Sequence, residues 1–390
     1  MTYKLDKLVH SEEHFAEEYL KSRQKEYGFT QLTKVKTFLW DFELLAQLQR
    51  KLGSKVVLKG GAAAQLFFPP EKQRTSVDID VIYSGNEDEM QQVLDSIHSD
   101  FGEDDVFFKF TKYIPKRPTK VLPLQTFYVA VPGVLGEETN QINIKLDFHM
   151  IGDTKVKVID LKGAVALGVP LAFAPRCLTV ESLVGDKLLT LARGSVGIPP
   201  GREADIPKQL CDLNGLTSLQ RFENLAHLWL ASGEFLQLEI LNTGQAIDER
   251  TVYSQIVDTL RRYSTVAGNE PDSEALKVLK EFRGNYEPRP FMNMIQWETV
   301  CKRLEYFSWC LREKSAEVIH LLKQADAMAD QISSTKDRQS QTKKLFSILQ
   351  SLSPSGKIGR FRNVTPERIF WEIISLDKIT IEEIRSALTS

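Results

Sequence analysis

The sequence predicts an α+β protein, with strands gathered in the first half of the chain and helices throughout the second. Three observations point there. Residues 56 to 82 read as strand, glycine turn, helix, strand: the apolar run Val56-Val57-Leu58 ends at Lys59-Gly60-Gly61, a small-residue helix start follows, and after Pro69-Pro70 comes Val77-Asp78-Ile79-Asp80-Val81-Ile82. Residues 106 to 150 read as a meander of three runs, Val106 to Phe110, Leu124 to Val131 and Gln141 to Met150, with Pro and Gly turns between them. From about 217 to 390 the pattern is helical, opening with Phe222, Leu225, Leu228 and Trp229 at spacings of three and four.

Taken in order, residues 10 to 26 read as an exposed, charged helix. Residues 30 to 52 read as an amphipathic one, with Leu32, Val35, Phe38, Leu39, Phe42, Leu45 and Leu48 on its apolar stripe. His10 and His14 stand at i and i+4, but no glutamate follows His10 directly, so a solvated helix is expected rather than a zinc motif. Asn86 to Asp100 suits a helix with Met90, Val93, Leu94 and Ile97 inward. Thr179 is an N-cap candidate with Glu181 in the first turn behind it. Near the end, Thr365-Pro366 is a cap followed by proline at the first helical position, and Thr380 to Glu383 is a capping box. Trp297 and Trp309 are read as core aromatics. The expected divisions are N-terminal helices over 1–52, a domain over 53–215 and a helical domain over 216–390.

Composition narrows the classes. The chain has 390 residues, 42% hydrophobic and 26% charged, which suits a globular protein of more than one domain. A net charge of −2 supplies no global field for nucleic acid, so such binding would need a local patch. Two patches qualify: the connection Lys109 to Lys120, basic with interleaved aromatics, and the loop Ser353 to Arg362 with Lys343 and Lys344. Solubilising loops are the plain alternative for both. Cys177, Cys211, Cys301 and Cys310 form no C-x-x-C pair, consistent with reduced thiols in a cytosolic protein. No stretch approaches the ~20 apolar residues that span a membrane, and Met1 to Asp6 carries no signal-peptide pattern. The expected location is the cytoplasm.

The chemistry concentrates at 59 to 80. Two glycines where a strand meets a helix let backbone N–H groups approach a ligand, and a helix N-terminus favours a phosphate. Asp78 and Asp80 are two apart on a strand and point to one face, where two carboxylates repel unless a cation or a proton sits between them. A hard dication such as Mg²⁺ fits that role and serves phosphoryl or nucleotidyl transfer. Arg74 stands just upstream, placed to pair with a phosphate or to hold the aspartates. Lys187 falls on the buried stripe of its helix, where an ammonium calls for an anion, either a carboxylate or a substrate phosphate; snorkelling to solvent is the alternative.

Gly60-Gly61, a short helix and then Arg74-x-Ser76-x-Asp78-x-Asp80 resemble the first motif of the DNA polymerase β-like nucleotidyltransferases. Lys59-Gly60-Gly61-Ala62-Ala63-Ala64 with Arg74 to Asp80 is most similar to the AbiEii-type toxins, which include the MenT-type tRNA-modifying enzymes. The similarity covers roughly residues 50 to 215, and the helical region agrees in class alone. It implies a mixed sheet with flanking helices followed by a helical domain. It also implies transfer of a nucleoside monophosphate from an NTP, with Mg²⁺ or Mn²⁺ held by Asp78 and Asp80. Lys59, Gly60, Gly61, Arg74 and Ser76 would contact the nucleotide, and Lys187 would stabilise triphosphate charge. A third carboxylate comes from a neighbouring strand in that fold; Asp147 matches, to share the metal or accept a proton, with Lys145 on the same face as an alternative contact. The closing motif of the family is matched by Arg202, Asp205 and Asp212 as nucleotide-binding residues, with a looser acid spacing and Pro207 inside the segment. A glycine- and proline-containing loop, Gly194 to Gly201, would border the site and close over substrate.

Under this resemblance the acceptor is tRNA or another RNA, and a cognate antitoxin is the implied partner. Nucleotidylation of a small molecule or of a protein, and a non-catalytic partner-binding scaffold, are the competing classes. Intact Lys59-Gly60-Gly61, Asp78, Asp80 and Lys187 speak against the last.

Overall fold

The strands form where the sequence alternates or runs β-branched: β1 (Val56–Lys59), β2 (Asp78–Tyr83), β3 (Lys109–Lys112), β4 (Leu124–Pro132), β5 (Gln141–Met150), β6 (Val158–Asp160), β7 (Val165–Ala166), β8 (Val169–Pro170) and β9 (Arg176–Leu178). The computed structural model describes residues 4–102, 105–114, 124–135, 141–152, 155–217, 225–244, 246–268, 271–286, 292–314, 316–353 and 365–389. The helices are α1 (Glu17–Tyr27), α2 (Leu32–Leu52), α3 (Gly60–Gln65), α4 (Glu87–Phe101), α5 (Val180–Leu189), α6 (Ile206–Leu216), α7 (Leu225–Thr243), α8 (Glu249–Tyr263), α9 (Ser273–Asn285), α10 (Met294–Glu313), α11 (Ala316–Ser334), α12 (Arg338–Leu352), α13 (Pro366–Ile374) and α14 (Ile381–Thr389). Two units emerge. The first comprises Met1–Lys187, Gly215–Gln245 and Glu281–Phe291, and the second Leu188–Asn214, Ala246–Lys280 and Met292–Ser390.

The first unit is built on a seven-stranded sheet in the order β3-β4-β5-β2-β1-β9-β6. β2 runs parallel to β5 and β1 parallel to β9, while the remaining pairs are antiparallel, so the sheet is mixed. Helix α2 is its hub, packing on α1, α4, β1, β2 and β5. Residues 35 to 48 are buried throughout, Lys36, Asp41, Glu43 and Gln47 included. Trp40 stacks on Phe15 at 4.0 Å and meets Phe107 edge-on at 5.5 Å, and Phe107 stacks on Phe101 at 4.7 Å. Helix α4 starts where Asn86 Oδ1 accepts from the Glu89 N–H at 2.8 Å and ends at Gly102, whose φ of 115° suits glycine.

The N-terminal segment differs from the exposed helix expected over 10 to 26. A short 3₁₀ turn, Glu12–Phe15, precedes α1, and His10 is buried. The cause is Glu43. This fully buried carboxylate accepts from the backbone of Val9 and His10 at 3.0 Å each, from His10 Nδ1 at 2.6 Å and from Gln47 Nε2 at 2.7 Å. A buried charge needs such donors, and the chain turns inward to supply them.

The second unit is helical. Helix α8 is capped by Asp248, and α10 opens with a capping box of Asn293 and Gln296. Thr365 caps α13 with Pro366 at its start. Before α14, Thr380 Oγ1 accepts from the Glu383 N–H at 3.2 Å while Glu383 accepts from the Thr380 N–H at 2.8 Å. Pro207 sits in the first turn of α6, where a missing N–H costs nothing, rather than interrupting a helix. Trp297 and Trp371 are core residues.

Candidate active site on the sheet face

Alternation decides what β2 shows. Ile79 and Val81 are fully buried, while Asp78 and Asp80 stand half-buried on the other face. Strand register brings further polar groups to that face. On β5, Lys145 lies opposite Asp78, Asp147 opposite Asp80 and His149 opposite Ile82. On β4, Thr126 lies opposite Asp147 and Tyr128 opposite Lys145, and on β1 Lys59 lies opposite Asp80.

These groups hold one another. Thr126 Oγ1 donates to Asp147 Oδ1 at 2.5 Å, and Lys145 Nζ pairs with Asp147 Oδ2. Asp147 and Lys145 are thus one ion pair rather than alternatives. Burial lowers the affinity of Lys145 for its proton, but Asp147 and then Asp78 and Asp80 raise it more. For Asp80, burial pushes the carboxyl up. The His149 imidazole, with Nε2 3.9 Å from Oδ1, and then Lys59 and Lys145 outweigh it and bring the carboxyl down to about 2. Lys59 Nζ sits 2.9 Å from Asp186 Oδ1 on α5 and 5.5 Å from the centre of the Phe235 ring.

The glycine pair has a reason visible in the packing. Gly60 has φ of 72°, and a Cβ there would come 2.2 Å from Asp80 Oδ2. A Cβ on Gly61 would come 2.9 Å from both Arg74 Nη2 and Ser76 Oγ. The turn therefore lies directly against the residues of the second half of the motif. Arg74 is buried. Its backbone N–H donates to Gln65 Oε1 at 2.9 Å and its Nη1 to the Thr75 carbonyl at 2.9 Å.

The other candidates distribute as follows. Lys187 is buried on α5, next to Asp186. Arg202, Asp205 and Asp212 belong to the second unit. There Asp205 accepts from Arg202 Nη2 at 2.7 Å and Lys208 Nζ at 3.0 Å, and Asp212 is fully buried on α6. The loop Gly194 to Gly201 belongs to the second unit as well. Of the two basic patches, Lys116, Arg117 and Lys120 of the first and residues 354–362 of the second lie outside the described residues.

Three groups escaped sequence reasoning: Asp41, Asp186 and His149. Asp41, on α2, is 1% exposed, and neither of its oxygens has a hydrogen-bond partner among the described residues. Burial, and then the negative charge of Asp78 and Asp80, push its carboxyl well above the usual range. A signal existed: three after Phe38 and four before Leu45, Asp41 falls on the apolar stripe itself. His149 shares a face with Asp147 by strand alternation. Asp186 is visible only through its contact with Lys59.

A mixed sheet that shows two aspartates on one face, beside a strand, Gly-Gly, helix turn, defines a nucleotidyltransferase. Residues 43–277 match the family described as Nucleotidyl transferase AbiEii toxin, Type IV TA system, and the chain belongs to this family. Similar solved structures include JHP933 from Helicobacter pylori, at 16% identity over 73% of this chain and 96% of that one with a TM-score of 0.41. Another is MenT4, a nucleotidyltransferase toxin from Mycobacterium tuberculosis H37Rv, at 17% identity over 74% and 87% with a TM-score of 0.37. No curated protein matches the chain. Among the described residues no helix is long and apolar enough to cross a membrane.

Proposed function

We propose that this toxin nucleotidyltransferase moves a nucleoside monophosphate from an NTP to an RNA acceptor, tRNA first among them, in a Mg²⁺-dependent reaction in the cytoplasm. The observation that carries the reading is the sheet face on which Asp78 and Asp80 meet Lys145, Asp147 and His149 in strand register. Among the described residues no group of three or more His, Cys, Asp or Glu side chains could hold a metal by itself. Two carboxylates nevertheless fit Mg²⁺, which keeps waters and takes one or two carboxylates together with substrate phosphates. The carboxyl of Asp41, without a hydrogen-bond partner among the described residues, is pushed up by burial and then by the negative charge of Asp78 and Asp80, a charge that a cation would relieve. Asp78 and Asp80 would hold Mg²⁺, or Mn²⁺ in its place. When bound, the ion neutralises phosphate charge and orients the triphosphate.

The acceptor hydroxyl oxygen forms a bond to the α-phosphorus, the bridge to the β-phosphate breaks, and pyrophosphate leaves. Asp147, oriented by Thr126 and Lys145, takes the hydroxyl proton. Lys59, Gly60, Gly61, Arg74 and Ser76 line the nucleotide side, and Lys187 stabilises triphosphate charge. A nucleic-acid acceptor is favoured by Tyr113 and Tyr128, 47% and 42% exposed and edge-to-face at 6.1 Å, with Tyr128 directly opposite Lys145. Bases stack on such rings whatever their identity. Membership of a toxin family implies a cognate antitoxin.

The test is incubation with each α-³²P-labelled NTP, Mg²⁺ and total tRNA, with RNA, protein and small products resolved together. Label entering RNA from one NTP is the expected result. Label in protein or a small molecule keeps the chemistry and replaces the acceptor. Transfer that survives the Asp78→Ala, Asp80→Ala double change overturns the site.

A further inference from the structure

The second unit contains a cavity of about 420 Å³ between α8, α10 and the end of α13, within the size range of small-molecule sites. The two long helices run antiparallel there. Glu249 of α8 pairs with Lys314 at the end of α10 at 2.8 Å, and Arg261, further along α8, pairs with Glu305 at 2.8 Å. The lining is therefore ordered along the cavity: Arg250 and Arg312 at one end, Trp309 and Val257 in the middle, Arg261 and Glu305 at the other.

The charges are not equally committed. Glu305 is bound by both Arg261 and Lys302, each at 2.8 Å, so that end is internally neutralised. Among the described residues Arg312 bonds only its chain neighbour Glu313, at 2.8 Å. The side chain of Arg250 has no hydrogen bond or ion pair among the described residues. Asp377, exposed at the end of α13, is the remaining acid of the lining. Between the ends, Trp309 is half-buried, its ring tilted 30° on Tyr306 at 5.4 Å, and Tyr306 in turn meets Trp371 at 5.9 Å. Trp309, read from the sequence as a core residue, is backed by fixed aromatics and lines an open space.

A flat ring backed by fixed aromatics, lining the same cavity as two guanidinium groups, matches a ligand with an aromatic plane and an anion. We propose that this cavity binds a nucleotide, its base lying against Trp309 and its phosphate between Arg250 and Arg312. An acidic peptide would use the guanidinium groups and leave the ring idle. None of the residues assigned to nucleotidyl transfer takes part, so the inference stands apart from that reaction. The ligand is either a free nucleotide or one unit of a single-stranded RNA.

The full-length chain is titrated in EDTA with two probes, the four nucleoside monophosphates and a fluorescein-labelled single-stranded RNA 12-mer. Tryptophan quenching follows the first and anisotropy the second. Three proteins are compared: wild type, Arg250→Ala with Arg312→Ala, and Asp78→Asn with Asp80→Asn. Both arginines are exposed at the surface, so their removal leaves the helix packing intact. The expected result is binding weakened at least tenfold by the arginine changes and unchanged by the aspartate changes, with a log–log salt slope lower by about 0.7 for one phosphate contact. Quenching by monophosphates alone identifies a free nucleotide, and tighter binding of the 12-mer identifies RNA. Equal affinity of wild type and the arginine variant overturns the proposal. So does wild-type protein that binds neither probe, as a cavity serving an acidic protein segment would.

Discussion

Asp80 and Asp41 both belong to the first unit, the charge of Asp80 acts on Asp41, and the two are driven in opposite directions. Asp80 lies on the sheet face with His149, Lys59 and Lys145 around it, and its carboxyl falls to about 2. Asp41 lies in the central helix with no hydrogen-bond partner for either oxygen among the described residues, and its carboxyl rises. Both feel burial, so burial does not separate them. What separates them is whether the fold brings a positive group to the carboxylate. Two acids whose environments push them apart are the usual mark of a site with work for each protonation state.

The largest test of that contrast is on activity. Asp80→Asn removes a proposed cation ligand, and transfer is expected to fall about 10³-fold or more in a steady-state assay. Next is the pair that supplies part of the positive charge. Lys59→Met leaves Asp186, its side chain 12% exposed, without its cation, and denaturant unfolding should show a loss of up to about 3 kcal/mol.

Then come the two acids themselves, which should show opposite pH signatures in stability. The folded-state value of Asp80 lies below its ordinary one, so its contribution is present above pH ~4 and is lost as pH falls through about 2. From 3.8 to about 2, at about 1.4 kcal/mol per pH unit, this is about 2 kcal/mol, and Asp80→Asn should flatten the acid limb by that much. Asp41 is raised, so the folded state binds the extra proton and stability falls as pH climbs above the ordinary carboxylate range. Asp41→Asn should therefore be more stable than wild type at pH 8 without divalent ions, by about 1–3 kcal/mol. The gain should shrink toward pH 4. Equal pH profiles for the two variants would erase the distinction between the acids. The smallest effect is at the turn: Gly60→Ala strains a left-handed backbone and displaces Asp80, at a cost of about 1–2 kcal/mol.

Much of the sheet face was legible because strand alternation is a local rule. Val77 to Ile82 places Asp78 and Asp80 on one side without knowledge of any neighbour, and the same rule pairs Lys145 with Asp147. The Gly60-Gly61 turn was legible as a close approach, but the approaching groups on the structure are Asp80, Arg74 and Ser76. Asp41 stood on the apolar stripe, but its closeness to Asp78 and Asp80 stayed hidden, because a helix pattern does not report which strand the helix packs on. His10 and Glu43 were hidden for the same reason: their bond joins segments that nothing local connects. Lys59 with Asp186 is a third such case. Charge compensation across long sequence separations is what periodicity cannot report.

The parallel pairing of β2 with β5 has a consequence for the order in which the molecule matures. Parallel neighbours cannot be closed by a tight turn, and their contacts form late because a long loop must be ordered first. During synthesis, a chain that has emerged only through β2 carries Asp78 and Asp80 but none of Lys145, Asp147 or His149. The acid face becomes whole only once the β4–β5 hairpin docks beside β2. A toxin assembled this way stays without its full complement of groups while it is still being made.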